Sequence, residues 1–167
     1  MLVLGIDPGT ATTGYGVVRV ERNGLMSLVE CGVIRTKPRD PLAMRLREIH
    51  EGVTELVARH RPDVLSVEDI FYAKNVRTTV VLGHARGVIL LAGELANVTV
   101  HEFPPAEIKK AVAGTGAATK EQVQFMLNRL LRLKSVPTPS DAADGVAAAL
   151  TYCMAPTLPS ITRLLVP

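Results

Sequence analysis

The sequence predicts one α/β domain in which helices flank a five-stranded mixed sheet. Three observations support this fold class. Short apolar or alternating segments fill the first part of the chain, strand-like and helix-like segments then alternate, and 167 residues suffice to bury a core without disulfides or metals. Because 47% of the residues are hydrophobic and 21% are charged, the composition also excludes a disordered chain.

The first three strands are predicted to form an antiparallel meander. MLVLGID is apolar until Asp7, and the stretches TGYGVVRVE and SLVECGVIRT are rich in β-branched residues. The turn signal RNGL separates the second strand from the third. Two such stretches joined by a short turn are typical of a β-hairpin.

The middle of the chain alternates helix and strand. Apolar residues keep a helical period from Pro41 to His60, where RPD breaks the pattern. VLSVED is the fourth predicted strand, a helix follows over 76–95, and VTVHEF is the fifth strand. Crossovers of this kind are right-handed and join parallel strands, so strands one, four and five should run parallel.

The helix predicted over 76–95 is apolar around most of its circumference. A helix with one face in water does not have this pattern. Two explanations fit equally well: the helix is sandwiched inside the domain, or its outer face meets a second subunit. Gly83 and Gly87, four residues apart, would let another helix approach closely.

The remaining segments complete a single domain over 1–155, followed by a proline-containing C-terminal tail over 156–167. The last predicted helices lie at 105–112, 119–133 and 139–155. No apolar run is expected to reach membrane-spanning length, and the N-terminus lacks the features of a signal peptide. We therefore expect a cytoplasmic protein that contacts no membrane.

Several site classes are disfavoured by residue spacing. Cys31 and Cys153 lie far apart and the four histidines are scattered, which argues against a zinc site or a catalytic Cys–His pair. The net charge of +3 is a weak indication of a polyanionic partner.

Carboxylates end two of the predicted parallel strands. Asp7 closes the first and Glu68 closes the fourth, and each is preceded on the same face by a small residue, Gly5 or Ser66. If these strands are neighbours, both carboxylates lie at the carboxyl edge of the sheet, where sites of open α/β sheets usually occur. Two adjacent carboxylates either share a proton or bind a cation.

A second acidic pair lies in the segment SDAADGVAAAL. We expect Thr138 to cap this helix with Pro139 at its first position, which puts Asp141 and Asp144 three residues apart on one face. Asp141 has an alternative role as a favourable charge at the helix N-terminus. Asp144 lies among Ala, Val, Leu and Gly, and an unpaired carboxylate buried there would be strongly unfavourable.

Taken together, the acids predict a metal site. Hard oxygen ligands such as these suit Mg²⁺ or Mn²⁺. Two such ions, about 4 Å apart, activate a water and stabilise the leaving oxygen in phosphodiester hydrolysis. The four predicted metal-binding and catalytic residues are Asp7, Glu68, Asp141 and Asp144.

Four motifs, in order and at their spacings, closely resemble the RuvC family of Holliday junction resolvases, within the RNase H-like superfamily: GIDPGTATTGYGVV, VEDIFYAKN, LGHARG and SDAADGVAAAL. The resemblance implies an RNase H-like fold and a homodimeric, metal-dependent endonuclease that makes paired symmetric nicks in four-way junction DNA. It also implies RuvA and RuvB as partners in branch migration, and it matches all four acids to metal-binding positions. Some relatives carry His where this chain has Asp141, which makes the present site more negative.

Candidate DNA-binding residues follow Glu68 directly. An aromatic ring there could wedge into or stack on an unpaired base at the crossover, and the resemblance favours Phe71 over Tyr72 for this role. The alternative is a hydrophobic staple at the start of the next helix. Three residues suited to backbone contacts come next: Lys74, Asn75 and Arg77.

Three lysines flank the glycine-containing stretch AVAGTGAAT: Lys109, Lys110 and Lys120. The resemblance matches Lys109 and Lys120 to basic positions of the family. Contacts to phosphate would make DNA affinity fall with salt, whatever the base sequence. By their pattern alone, ordinary solvated lysines are the better interpretation of all three.

Three other functions are considered. DPGT also resembles the phosphate loop of actin-like and sugar-kinase ATPases, but those need a second lobe for which this chain is too short. A nuclease that processes ribosomal RNA would share the early Asp and the strand-end Glu, but it would not be expected to carry FYAKN. A junction-binding scaffold that never cuts would have no need of all four acids.

Overall fold

The computed structural model describes residues 1–70 and 76–155, and its five strands form one mixed sheet. The strands are β1 (Leu2–Asp7), β2 (Thr12–Val20), β3 (Met26–Arg35), β4 (Val64–Glu68) and β5 (Thr99–Phe103). Their spatial order is β3-β2-β1-β4-β5. The predicted antiparallel meander is confirmed, as is the parallel arrangement of β1, β4 and β5.

Helices cover both faces of the sheet. They are α1 (Leu42–His60), α2 (Val76–Leu95), α3 (Pro105–Ala113), α4 (Lys120–Leu131) and α5 (Ser140–Met154). One core layer joins the sheet to α1 and α2, and the other joins it to α3, α4 and α5. Alternation along β1 separates the layers, because Leu4 and Ile6 pack towards α1 and α2 while Val3 packs towards α5.

Helix α5 lies directly against the backbone of the sheet, since glycines remove the side chains between them. A Cβ atom at Gly5 would lie 2.2 Å from both the carbonyl oxygen of Gly145 and the amide nitrogen of Ala149. A Cβ atom on Gly145 would in turn lie 2.5 Å from the Cα of Tyr15. The helix N-terminus is therefore held at the same edge of the sheet where β1 ends.

The start of α5 differs from the prediction. Thr138 is not the N-cap: that position belongs to Pro139, whose ψ of 177° is extended, and the helix begins at Ser140. The fixed φ of proline fits both the cap and the first helical position, so the sequence pattern could not distinguish them. Asp141 is thus the second residue of the helix rather than the third.

Helix α2 packs on one side only. Ala85, Ile89 and Ala92 are buried, whereas Val80, Leu91 and Leu95 are 53%, 50% and 66% exposed. The sandwiched explanation is therefore wrong for this helix within the described part of the chain. By length and composition alone α2 could cross a membrane, contrary to the expectation from sequence. Within the apolar stretch of α2, 22% of the residues are buried inside the fold.

Candidate active site

The carboxyl ends of β1 and β4 bring Asp7 and Glu68 together. The two strands are parallel neighbours, with Gly5 opposite Ser66 and Ile6 opposite Val67, so that the acids follow in register. Both side chains line a cleft of about 240 Å³. The other residues of this cleft are Pro105, Ile108, Lys109, Lys120, Val123, Asp144 and Ala147.

Helix α5 contributes the third acid of the cleft, Asp144. Its position is fixed by the close approach of the helix to the sheet and by Ser66, whose hydroxyl donates a 2.6 Å hydrogen bond to the carbonyl of Ala148. Ala148 lies one turn after Asp144, so this bond anchors the helix directly behind the acid. The small residues Gly5 and Ser66, noted in the sequence, are thus contact points for α5.

Asp141 lies at the edge of this arrangement. Its side chain is partly buried and does not line the cleft. Its backbone carbonyl packs against Gly14, where a Cβ atom would come within 1.8 Å. The structure thus brings three of the four predicted acids to one cleft and leaves the fourth beside it.

The acids repel one another strongly. Burial, together with the charges of Glu68, Asp144 and Asp141, raises the pKa of Asp7 to about 8. Burial and the charge of Asp144 raise the pKa of Glu68 to about 7, although Lys109, Lys120 and a hydrogen bond with Asp7 act in the opposite direction. At neutral pH the Asp7–Glu68 pair therefore tends to hold a proton in place of a second negative charge.

Asp144 has a partner that the sequence did not predict. The Lys120 ammonium donates to Asp144 Oδ2 over 2.6 Å, and the Asp144 side chain is 25% exposed. The sequence indicated that a carboxylate buried in this helix would need a compensating cation, and in the structure Lys120 supplies that charge. Helix α5 is buried along most of its length, but Asp144 faces the cleft, where α4 supplies a cation.

Lys120 is positioned by the turn between α3 and α4. Helix α3 ends at Gly114, whose φ of 82° is left-handed, and α4 begins with a capping box. In that box the Thr119 side chain accepts from the Gln122 backbone, and the Gln122 side chain accepts from the Thr119 backbone. The glycine-containing stretch thereby places Lys109 of α3 and Lys120 of α4 in the same cleft.

The donor set fits a hard divalent cation. Carboxylate oxygens are the preferred ligands of Mg²⁺ and Mn²⁺, and burial together with neighbouring carboxylates raises the pKa of Asp7 and Glu68, so that a bound cation would favour their charged forms. Within residues 1–70 and 76–155, however, no three Asp, Glu, His or Cys side chains are close enough to hold one ion together. Metal binding would therefore require a shift of side chains.

The other predicted DNA-binding residues lie in different places. Lys110 is exposed and lines a separate cavity of α3 and α5. Arg77, at the start of α2, lines a cavity of about 310 Å³ together with Thr10. Phe71, Tyr72, Lys74 and Asn75 lie outside the described residues.

An ion-pair network behind Glu68 was not recognised from the sequence. Arg86 of α2 pairs with Glu102 of β5, and its Nε lies 3.2 Å from Asp69 Oδ1 without the alignment of a hydrogen bond. The backbone amide of Asp69 also donates to the carbonyl of Phe103. The available signal was the LGHARG motif, in which a charged residue interrupts an apolar helix.

Comparisons with known proteins agree with this geometry. The protein-family model described as crossover junction endodeoxyribonuclease RuvC matches residues 3–152. The chain is 47% identical to RuvC of Pelotomaculum thermopropionicum over 152 residues, covering 91% of this chain and 92% of that relative. It is 44% identical to RuvC of Chloroflexus aurantiacus over 163 residues, 98% of each.

Solved structures give the same result. Thermus thermophilus RuvC superposes with a TM-score of 0.85 at 39% identity, covering 92% of this chain and 94% of that one. T. thermophilus RuvC in complex with a Holliday junction substrate gives a TM-score of 0.84 at 36% identity with the same coverage. The yeast mitochondrial Holliday junction resolvase Ydc2, at 12% identity and a TM-score of 0.69, shares the fold alone.

Proposed function

The chain belongs to the family of RuvC crossover junction endodeoxyribonucleases, and on that premise we propose that it resolves four-way DNA junctions by paired symmetric nicks in recombination and repair. The observation that best supports this function is the convergence of Asp7, Glu68 and Asp144 with two lysines in one cleft. Family membership excludes the two alternatives of an actin-like or sugar-kinase ATPase and a ribosomal RNA nuclease. The cleavage experiment below distinguishes a cutting enzyme from a scaffold that binds junctions without cutting them.

The family is metal-dependent, and we propose two Mg²⁺ or Mn²⁺ ions per site, held by Asp7, Glu68, Asp141 and Asp144. When bound, such ions activate a water and stabilise the leaving oxygen, giving a 5′-phosphate and a 3′-hydroxyl. The rigid sheet edge holds Asp7 and Glu68 in register, and Lys109 and Lys120 supply positive charge for the substrate phosphate.

Further DNA contacts are proposed around this cleft. Phe71 and Tyr72 would wedge or stack at the crossover, and the basic and polar side chains would contact phosphates, which makes binding salt-dependent. The proposed phosphate-contacting residues outside the cleft are Lys74, Asn75, Arg77 and Lys110. Of these, Arg77 and Lys110 lie in the described part, and both have the exposure that such a contact needs.

We also propose that the protein is a cytoplasmic homodimer that works with RuvA and RuvB. Two nicks across one junction need two cleavage sites related by a two-fold axis. The exposed apolar face of α2, with Val80, Leu91 and Leu95, is a surface suited to a second copy.

The test offers labelled four-way junctions, forks, flaps and RNA hairpins with Mg²⁺ and maps every cut. The wild-type protein should cut the junction at paired symmetric positions. Asp7→Asn should lose at least about 100-fold in cleavage while still binding the junction, because a carboxylate ligand is lost but the lysines remain. Glu21→Gln, which removes the same charge from the exposed β2–β3 turn, is the matched control and should cut normally.

If Asp7→Asn cuts at the wild-type rate but binds poorly, Asp7 positions DNA and the metal assignment is wrong. If the wild-type protein binds junctions and cuts none with either metal, the protein is a scaffold.

A further inference from the structure

The ion pair between Lys120 and Asp144 crosses the cleft at the point where a metal ligand is expected. Lys120 Nζ and Asp144 Oδ2 lie 2.6 Å apart, a charge-assisted hydrogen bond. An ammonium in this position occupies a lone pair that a hard cation would need. The backbones of both residues are fixed, because Lys120 lies in the capped first turn of α4 and Asp144 lies in α5. The ion pair can therefore be broken only by rotation of the two side chains.

We propose that Lys120 is a resident counter-ion that competes with the divalent cation for Asp144, so that cation binding releases the lysine into the cleft for a phosphate oxygen. This inference rests on the proposed metal-dependent cleavage. It assigns Lys120 a positioning role in two states: paired with Asp144 in the protein alone, and free for DNA once the cation is bound.

Three observations support the competition. The Lys120 side chain is 50% exposed, so it can leave Asp144 without opening the core. In the part of the chain that the structure describes, no three potential ligands are gathered around one point, as expected if Asp144 is turned towards Lys120. Asp7 and Glu68, which form no ion pair with a lysine among the residues that the structure describes, contact each other instead.

Lys109 provides an internal comparison. It lines the same cleft and is partly buried, but among residues 1–70 and 76–155 it forms no salt bridge. Removing its charge tests the general electrostatic effect of a nearby lysine on cation affinity. Removing Lys120 tests that effect plus the direct contact.

The first experiment measures Mn²⁺ binding to metal-stripped protein without DNA, by calorimetry or by the loss of the free-ion resonance signal. Lys120→Met should bind Mn²⁺ about five- to tenfold more tightly than wild type, because a partly exposed charge-assisted bond no longer competes. Lys109→Met should gain only about twofold, the effect of a screened charge at longer range. Lys120→Arg, which keeps a cation able to pair with Asp144, should remain close to wild type.

Equal gains in Lys120→Met and Lys109→Met, or no gain in either, would overturn the proposal. So would the absence of Mn²⁺ binding in every variant at millimolar metal. Because this experiment contains no DNA, a negative result would contradict the competition between Lys120 and the cation. The proposed cleavage of junctions would still be tested separately by the cleavage experiment. Circular dichroism of each variant confirms folding, which the exposed position of Lys120 favours.

The second experiment follows the Lys120 ammonium by nitrogen NMR during addition of the diamagnetic ion Mg²⁺. The Lys120 signal should begin apart from that of exposed Lys110 and move towards it at saturation. A Lys120 signal unchanged at saturating Mg²⁺ would show that the pair persists, which contradicts displacement.

Discussion

At the scale of single residues, the cleft holds more negative charge than its lysines neutralise. Asp7 and Glu68 are neighbours on a rigid sheet, and their pKa values are raised first by burial and then by neighbouring carboxylates. Asp144 differs, because Lys120 compensates it directly. The burial of Asp7 and Glu68 among other acids should therefore dominate how the metal-free protein responds to pH.

The raised pKa of Asp7 predicts a pH-dependent stability. A carboxyl whose pKa rises from 3.8 to about 8 on folding favours the folded state below the lower value, and this contribution is lost as the pH rises through the higher one. Metal-free wild type should thus lose stability relative to Asp7→Asn between about pH 4 and pH 8. The difference at pH 8 should be on the order of a few kcal/mol, measured by denaturant unfolding in chelator.

Glu21→Gln, with its exposed side chain, should follow the wild-type curve throughout. Added Mg²⁺ at pH 8 should stabilise wild type more than Asp7→Asn. Parallel stability curves for wild type and Asp7→Asn would show that folding does not raise the pKa of Asp7.

At the scale of elements, the site depends on how closely α5 approaches β1 and β2. Gly5 and Gly145 allow backbone-to-backbone contact, and the Ser66 hydroxyl fixes the helix lengthwise. On the far side of the sheet edge, Arg86 joins α2 to β5 and to the segment after β4. The acids are thus held by contacts made away from the cleft itself.

Gly5→Ala should destabilise the fold severely. The new methyl group would lie 2.2 Å from backbone atoms of α5, which cannot move as a flexible side chain would. We expect a loss of about 3 kcal/mol or more in the free energy of unfolding, measured by urea denaturation. Ser27→Ala, at an exposed position of β3, is the control and should change it by less than about 0.5 kcal/mol. A Gly5→Ala protein of wild-type stability would mean that α5 lies further from the sheet than the 2.2 Å contacts at Gly5 require.

Arg86→Met should lower the free energy of unfolding by more than the loss of an ordinary surface ion pair does. The Arg86 side chain is 26% exposed, and its loss leaves Asp69 and Glu102 facing each other without a cation. The expected loss is about 1–3 kcal/mol in the free energy of unfolding. The matched control is Arg47→Met, whose pair with Glu51 is 64% and 65% exposed, and it should cost less than about 0.5 kcal/mol. Equal losses in the two variants would rule out a special role for the Arg86 network.

At the scale of the whole molecule, one apolar surface is left uncovered by the described residues 1–70 and 76–155. Helix α2 buries Ala85 and Ile89 against α1 and the sheet but exposes Val80, Leu91 and Leu95. Exposed apolar patches on this scale mark interaction surfaces, and a symmetric reaction on a four-way junction favours a second copy as the partner.

The oligomeric state tests this surface. Wild type at about 10 µM should sediment as a dimer, and Val80→Asp should shift it towards the monomer, because a charge would have to be buried at the interface. Leu25→Asp, at a 49% exposed apolar position in the β2–β3 turn, is the matched control and should remain dimeric. A monomeric wild type, or equal dissociation of both variants, would exclude α2 as the dimer surface.

The order and type of the elements follow from the sequence alone, since hydrophobic period and turn residues are local properties. The sequence also indicated which acids end strands, and the motif pattern indicated the family. It could not decide whether Thr138 or Pro139 caps α5, because proline fits both positions. It could not show that α2 has an open face either, because an apolar helix looks the same in sequence whichever side is covered.

Which side chains meet depends on the three-dimensional packing of the elements. Lys120 and Asp144 are 24 residues apart and belong to different helices, so no local pattern could reveal their ion pair. The same holds for Ser66 with Ala148 and for Arg86 with Glu102. Side-chain pairing across elements depends on how helices dock on the sheet, a balance of packing over the whole core that no short stretch of sequence contains.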